Sequence, residues 1–174
     1  MTCSLRFMRC VPGAKDIIGD ALCSHVRPLL SSQLQCVLAT VQQDHTPAMA
    51  LTAYAMSPCL RSVYIATPLA AHKAENMLQR PGVSLLWDNR SGSLSDHRDG
   101  LLVTADGTAA LAHDRDAAAT LLLHRNPNME PFLASNGIGL FAVTVREYEI
   151  KHGHDRPQRW DPTDPTFVML NPLE

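Results

Sequence analysis

Six segments of this chain have the composition and alternation of β-strands, and this repeated strand character restricts the possible folds more than any other feature. Turn-forming residues between the first two segments, Gln43 to Pro47, predict a hairpin. Hairpins and short insertions, rather than regularly alternating helices, connect the segments. The sequence therefore predicts a mainly antiparallel β-barrel with peripheral helices. The predicted strands cover residues 36–42, 48–56, 62–67, 82–89, 101–113 and 140–152.

The helical spacing of apolar residues predicts the peripheral helices. A helix is expected over residues 16–30, and Pro28 could interrupt it. A short amphipathic helix is expected over residues 72–80, and a longer one over residues 115–125, where Asp114 or its neighbour can cap the first turn. The remaining predictions are a helical turn over 129–134, an exposed loop over 90–100 and a mostly irregular tail from Gly153.

The length and apolar content indicate one folded domain. The chain has 174 residues, 45% of them apolar, which is enough to bury a core without disulfides or structural metals. We expect a helical lead over residues 1–34, the barrel core over residues 35–160 and an irregular tail over residues 161–174.

Charge and cysteine usage exclude several functional classes. The formal net charge of −2 provides no broad basic surface for nucleic acid or anionic lipid. The five cysteines lack the close spacing of zinc or dithiol motifs. No apolar run approaches the ~18 residues of a membrane span, and the first residues lack the apolar stretch of a signal peptide. These features predict a soluble cytoplasmic protein with free thiols, no metal site and neither a nucleic-acid nor a membrane partner.

Residues 64–86 resemble the core of the pyridoxamine 5′-phosphate oxidase family that binds flavin mononucleotide (FMN). The likeness is carried by Tyr64-Ile65-Ala66-Thr67 at a strand end, His72-Lys73 at a helix start and the run from Arg80 to Leu86. It extends more loosely over residues 36–160. The resemblance implies an FMN-binding split β-barrel that works as a homodimer, with FMN at the two-fold interface.

The same resemblance implies that Ala66, Thr67, His72 and Lys73 contact the phosphate and ribityl chain of FMN. A helix N-terminus and a lysine ammonium are both suitable partners for a phosphate dianion. His72 stands where the family usually has arginine. The second strand, residues 48–56, contains none of the cations that the oxidase has there.

Three further residues are expected near the cofactor. Backbone groups, Thr52 or Tyr54 would hold the flavin from the side of the second strand. Asn89 would reach the flavin or the neighbouring subunit, or it would end the fourth strand in a polar turn. Trp160 resembles the family's C-terminal segment, which packs against the cofactor of the other subunit; the alternative is an aromatic residue that pins the tail to the barrel.

Three functional hypotheses follow. The first is an FMN-dependent oxidoreductase acting on an unidentified small molecule, since the flavin would perform the redox step and the sequence lacks a nucleophile elbow, a P-loop and a dinucleotide glycine motif. The family's Arg-x-His substrate pair is absent, which argues against pyridoxamine phosphate as the substrate. The second is a haem-binding or haem-degrading protein, because the sequence around His152 and His154 resembles an iron-ligating loop of some split barrels. The third is a flavin carrier or sensor without turnover.

Overall fold

The computed structural model describes residues 26–163. Seven strands and five α-helices occur in this range, with one 3₁₀-helix at Pro127–Met129. The strands are β1 (Gln35–Val41), β2 (Pro47–Met56), β3 (Ser62–Pro68), β4 (Gly82–Asp88), β5 (Leu101–Leu111), β6 (Ile138–His152) and β7 (Gln158–Trp160). The helices are α1 (Arg27–Ser32), α2 (His72–Gln79), α3 (Asp96–Asp99), α4 (Arg115–Arg125) and α5 (Glu130–Leu133).

The first six strands close into an antiparallel barrel, which confirms the predicted fold class. Their order is β3-β2-β1-β4-β5-β6, and β3 pairs with β6 to complete the ring. A bulge at Asp106 and Gly107 lets the long strands β5 and β6 bend around the barrel. A side chain at Gly107 would approach the Thr144 carbonyl oxygen to 2.4 Å, so only glycine fits there. β7 pairs with residues 148–150 of β6, along the edge of β6 that faces away from β5.

The alternation of side chains along each strand produces two apolar clusters. On β3, Val63 and Ile65 point into the barrel core, whereas Tyr64 and Ala66 pack in a second cluster with residues of α4. Full burial of a large apolar side chain stabilises the fold by about 1.5–3 kcal/mol. The barrel interior is therefore the main source of stability, and α4 covers part of its outer surface. Asp114 caps α4 as predicted, since its carboxylate accepts a hydrogen bond from the Ala117 N–H at 2.9 Å.

The two ends of the barrel differ in chemistry. At one end, called here the groove end, α2 packs against β1, β3 and β5. The side chains of Ala74 and Met77 on α2 enter the core there. The other, called the aromatic end, holds four rings beside α1 and the β2–β3 turn. Two of these rings, Tyr54 and Trp87, meet edge to face with centroids 5.4 Å apart. The other two, Tyr148 and Trp160, are stacked at 5.1 Å.

Three of the local predictions need correction or completion. Within the described residues the first helix begins at Arg27, and Pro28 lies in its first turn, where a missing N–H costs nothing and the helix is not interrupted. Residues 16–25 of the predicted helix, and 164–174 of the predicted tail, lie outside the described residues. The loop over 90–100 contains the short helix α3, and the tail contains β7 because it can pair with the free edge of β6. No helix within residues 26–163 has the length and apolarity needed to cross a bilayer.

Candidate functional site

The start of α2 provides an uncapped helix N-terminus. Ala71 precedes the helix in an extended conformation, with φ −77° and ψ 140°, and no side chain caps the first turn. His72 and Lys73 are the first two helical residues, so their N–H groups have no partner within the helix. These N–H groups, the positive end of the helix dipole and the Lys73 ammonium together favour an anion at this point.

A groove lies between this helix start and the β1–β2 hairpin. Its volume is about 180 Å³, and β1 and β2 run side by side beneath it, with Thr40 opposite Ala48. None of the residues that line it carries a carboxylate, so no side chain of the groove itself would repel an anion. The lining residues are Thr40, Ala48, Met49, Ala50, Ala71, His72, Lys73 and Asn76.

Thr67 supplies a second polar group at the groove end. It is the penultimate residue of β3, it is buried, and its Oγ1 has no hydrogen-bond partner within residues 26–163. A buried hydroxyl without a partner costs about 1–3 kcal/mol. Such a group at a strand end beside an uncapped helix suits a ligand that supplies the missing partner.

The Lys73 ammonium affects the pKa of a buried thiol in the barrel, that of Cys36. Burial raises the pKa of the Cys36 thiol to about 12, while the Lys73 ammonium acts in the opposite direction. Burial is the larger effect, so the thiol stays protonated at neutral pH and cannot serve as a nucleophile.

Three predicted contacts on β2 and β3 lie apart from the groove lining: Thr67, described above, Thr52 and Ala66. Thr52 is buried on β2, and its hydroxyl donates to the Ala53 carbonyl at 3.3 Å. Thr52 shares a strand face with Ala48 and Ala50 but lies deeper in the barrel. The Ala66 side chain packs in the cluster that includes residues of α4, so only its backbone could serve a ligand at the groove end.

Asn89 and Trp160 lie on the opposite side of the subunit from α2. The Asn89 Oδ1 accepts a hydrogen bond from the Leu101 N–H at 2.6 Å, which ends β4 in a polar turn. Trp160 is buried against Tyr148 in the barrel core. Both positions match the alternative interpretations given above, and a contact with a cofactor of another subunit stays a prediction for each.

The histidines of the C-terminal loop are exposed. His154 stacks on His97 of α3, with parallel rings whose centroids are 5.9 Å apart. His152 lies 3.9 Å from the Asp155 carboxylate. Within residues 26–163, no group of three or more histidine, cysteine or acidic side chains could hold a metal ion.

Sequence reasoning missed Thr40 and Asn76 as groove residues. Asn76 lies four positions after His72, which places both on one face of α2. That spacing is visible in the sequence, whereas the burial of Asn76 and its contact with Thr40 depend on how the helix lies against β1.

The sequence and the fold both identify the family of this chain. A sequence profile of the pyridoxamine 5′-phosphate oxidase family matches residues 23–148, and the antiparallel closed barrel is consistent with that family's split barrel. The chain belongs to the pyridoxamine 5′-phosphate oxidase family. No curated protein sequence matches it significantly.

Several solved structures share the barrel. A haem-binding protein from Mycobacterium smegmatis superposes with a TM-score of 0.69 at 16% identity, over 78% of this chain and 56% of that one. A Clostridium acetobutylicum protein of the pyridoxine phosphate oxidase family, related to general stress protein 26, gives 0.65 at 12% identity, over 82% and 95%. A haem storage protein from Vibrio cholerae gives 0.58 at 16% identity, over 69% and 87%. At these identities the likeness establishes the fold alone.

Proposed function

We propose that the protein binds FMN, with the phosphate at the start of α2. The observation that carries the proposal is the uncapped N-terminus of α2 with Lys73 in its first turn, facing a groove free of carboxylates. The residues present fit a phosphate. Backbone N–H groups and the ammonium would bind its oxygens, and the Thr67 hydroxyl, which has no partner within residues 26–163, could donate to the ligand.

The groove is too small for the whole cofactor. Its volume of about 180 Å³ is below the roughly 300–1,000 Å³ of sites that enclose a drug-sized ligand. It would therefore hold the phosphate and part of the ribityl chain. The flavin ring would lie beyond the groove, where Met49 and Leu51 of β2 are exposed by 76% and 65%.

These two exposed apolar residues also support a homodimer. A flavin ring bound beside them would be open to water on one side in a single subunit, and a second copy related by two-fold symmetry would cover it. The Asn89 and Trp160 side chains would then be available to the partner's cofactor only by rearranging their contacts in their own subunit. The dimer thus completes the site without requiring either residue.

The proposed activity is that of a cytoplasmic FMN-dependent oxidoreductase acting on a small molecule. When bound, FMN supplies hydride or electron transfer; the protein binds the cofactor and limits access to it. The protonated Cys36 and the absence of a nucleophile motif agree with this division of work. Cys36 and Cys59 form no disulfide with each other. A flavin carrier or sensor would use the same groove, and reduction of bound FMN by NADH or NADPH distinguishes the two.

Haem binding is the second candidate, because two solved structures with this barrel are haem proteins and the His97–His154 pair is exposed at the aromatic end. Neutral imidazole is a good axial ligand for haem iron. An absorption spectrum of the protein purified without added cofactor separates the candidates, since flavin and haem absorb at different wavelengths. Loss of a haem band in His154→Ala, with His124→Ala on α4 as the control, would favour this second candidate.

Replacement of Lys73 tests the first candidate directly. Lys73→Gln should weaken FMN binding by roughly 10- to 100-fold, because a hydrogen bond to a charged group contributes about 1.5–3 kcal/mol. Lys151→Gln, which removes an exposed lysine at the end of β6, should leave the Kd unchanged. Fluorescence titration with FMN measures both. Equal affinities in the two variants, or a colourless wild-type protein that takes up no added flavin, would contradict the proposal.

A further inference from the structure

The groove contains a hydrogen-bond relay whose direction is set by its last member. The Asn76 side chain is 6% exposed, and its Nδ2 donates to the Thr40 Oγ1 at 3.0 Å. The Thr40 hydroxyl in turn lies 3.5 Å from the Ala48 carbonyl oxygen. A carbonyl can only accept, so Thr40 must donate to it and must accept from Asn76. The amide nitrogen of Asn76 therefore faces Thr40.

This arrangement leaves the Asn76 Oδ1 as an acceptor. Among residues 26–163, no group donates a hydrogen bond to that oxygen, and Asn76 is one of the residues that line the groove. The groove thus offers two kinds of partner. Donors and positive charge lie at the first turn of α2, and an acceptor lies four residues further on, roughly 6 Å along the helix axis.

A ligand that satisfies both must be an anion with a hydrogen-bond donor close to it. A phosphorylated polyol chain has this chemistry, because its phosphate only accepts while each neighbouring hydroxyl can donate. A carboxylate on a plain alkyl chain, such as a haem propionate, has no donor to place there. Asn76 and Thr40 therefore favour an anionic chain that carries a hydroxyl group over an anionic chain that carries none.

We infer that Asn76 is a specificity-determining residue, whose Oδ1 accepts a hydrogen bond from a hydroxyl of the ribityl chain and is oriented by Thr40. This inference rests on the proposed binding of FMN at the start of α2. It adds to that proposal a reason why the protein would select a flavin phosphate whose side chain carries hydroxyl groups over one whose side chain carries none.

The test compares two ligands and three proteins. The ligands are FMN and a flavin phosphate whose five-carbon side chain carries no hydroxyl groups. The proteins are the wild type, Asn76→Leu, which keeps a similar volume, and Thr40→Val, which removes the hydroxyl that orients the amide. Fluorescence titration measures each Kd, and circular dichroism confirms that each variant is folded.

The wild type should bind FMN about tenfold more tightly than the hydroxyl-free analogue, as expected for one neutral hydrogen bond. Asn76→Leu should bind both ligands with similar affinity, and Thr40→Val should reduce the preference without altering the binding of the analogue. Equal binding of the two ligands by the wild type, or an undiminished preference in the folded variants, would overturn the inference and leave FMN binding intact. Failure of the wild type to bind either ligand would overturn the proposed function and this inference with it.

Discussion

One buried hydroxyl at the groove end of the barrel lacks, within the described residues, the hydrogen-bond partner that the tyrosine hydroxyls at the aromatic end have. At the aromatic end, the Tyr54 hydroxyl donates to the Leu30 carbonyl at 2.5 Å and the Tyr148 hydroxyl to the Leu60 carbonyl at 2.7 Å. At the groove end, the Thr67 hydroxyl is equally buried and has no partner within residues 26–163. The tyrosine hydroxyls of the aromatic end are satisfied within the subunit, whereas the Thr67 hydroxyl at the groove end is left for another partner to bind.

An orphaned atom alone does not identify a site. The Trp87 Nε1 and the Arg125 Nε also lack hydrogen-bond partners in the described part of the chain, although both residues belong to the aromatic end. What distinguishes the groove end is the combination of Thr67 with an open groove and an uncapped, cationic helix start. An unmet buried polar group therefore indicates a ligand only where an open groove and an uncapped, cationic helix start occur at the same end of the barrel.

The largest expected effect concerns Trp160. Trp160→Ala should lower the free energy of unfolding by about 3–5 kcal/mol, because it removes a large buried ring from the core and its stack on Tyr148. In protein that remains folded, the FMN affinity should change less than twofold, since the ring lies away from the groove. Urea unfolding and fluorescence titration measure the two quantities.

Trp160→Phe is the control for this prediction, as it keeps an aromatic ring against Tyr148. A large loss of FMN affinity with little loss of stability would mean that Trp160 serves the partner's cofactor, and the contrast between the two ends would not hold.

A pair of hydroxyl deletions should shift stability in opposite directions. Thr67→Val should raise the free energy of unfolding of the cofactor-free protein by about 1–2 kcal/mol, because it removes a buried hydroxyl that has no partner. Tyr148→Phe should lower it by about 1–2 kcal/mol, because the Leu60 carbonyl loses its donor. Thr67→Val should also weaken FMN binding, and Tyr148→Phe should not. The same sign of stability change in both variants would refute the distinction drawn between the ends.

The smallest expected effect tests how apolar the interior between the two ends is. The pKa of Cys36 is raised from 9.0 to about 12, so the folded state favours the protonated thiol. As the pH rises, the unfolded chain loses the thiol proton at a lower pH than the folded protein does. Stability is therefore fully present below about pH 9 and is lost as the pH rises from 9 towards 12, by about 1.4 kcal/mol at pH 10.

Unfolding by urea between pH 7 and pH 10.5 checks this prediction. Cys36→Ala should show a shallower decline over that range than the wild type, although it begins from a lower stability. Tyr54, whose pKa burial raises to about 12, should contribute a further decline above pH 10 in both proteins. Cys59→Ala, on the β2–β3 turn, is the control, and its free energy of unfolding should decline with pH in parallel with that of the wild type. If the curve of Cys36→Ala were also parallel to that of the wild type, the interior would be less apolar than the structure indicates.

Most of the architecture was predictable because its signals are local. Strand-like composition between turn signals predicted the six barrel strands, with alternation in the last of them, and a capping residue at or next to Asp114 predicted the start of α4. β7 was not predictable, because Gln158 to Trp160 form a strand only when the edge of β6 is available to pair with them. The Thr67, His72 and Lys73 positions came from the resemblance to the family, and the structure places them at a strand end and a helix start.

The partners within the site depend on contacts between residues far apart in the chain. Asn76 meets Thr40 across 36 positions, and Trp160 meets Tyr148 only because β7 pairs with β6. Local propensity can state that these residues are buried or polar, but it carries no information on which strand register brings two of them within hydrogen-bonding distance. That register is set when β3 pairs with β6 and the barrel closes, since closure fixes every strand relative to its neighbours.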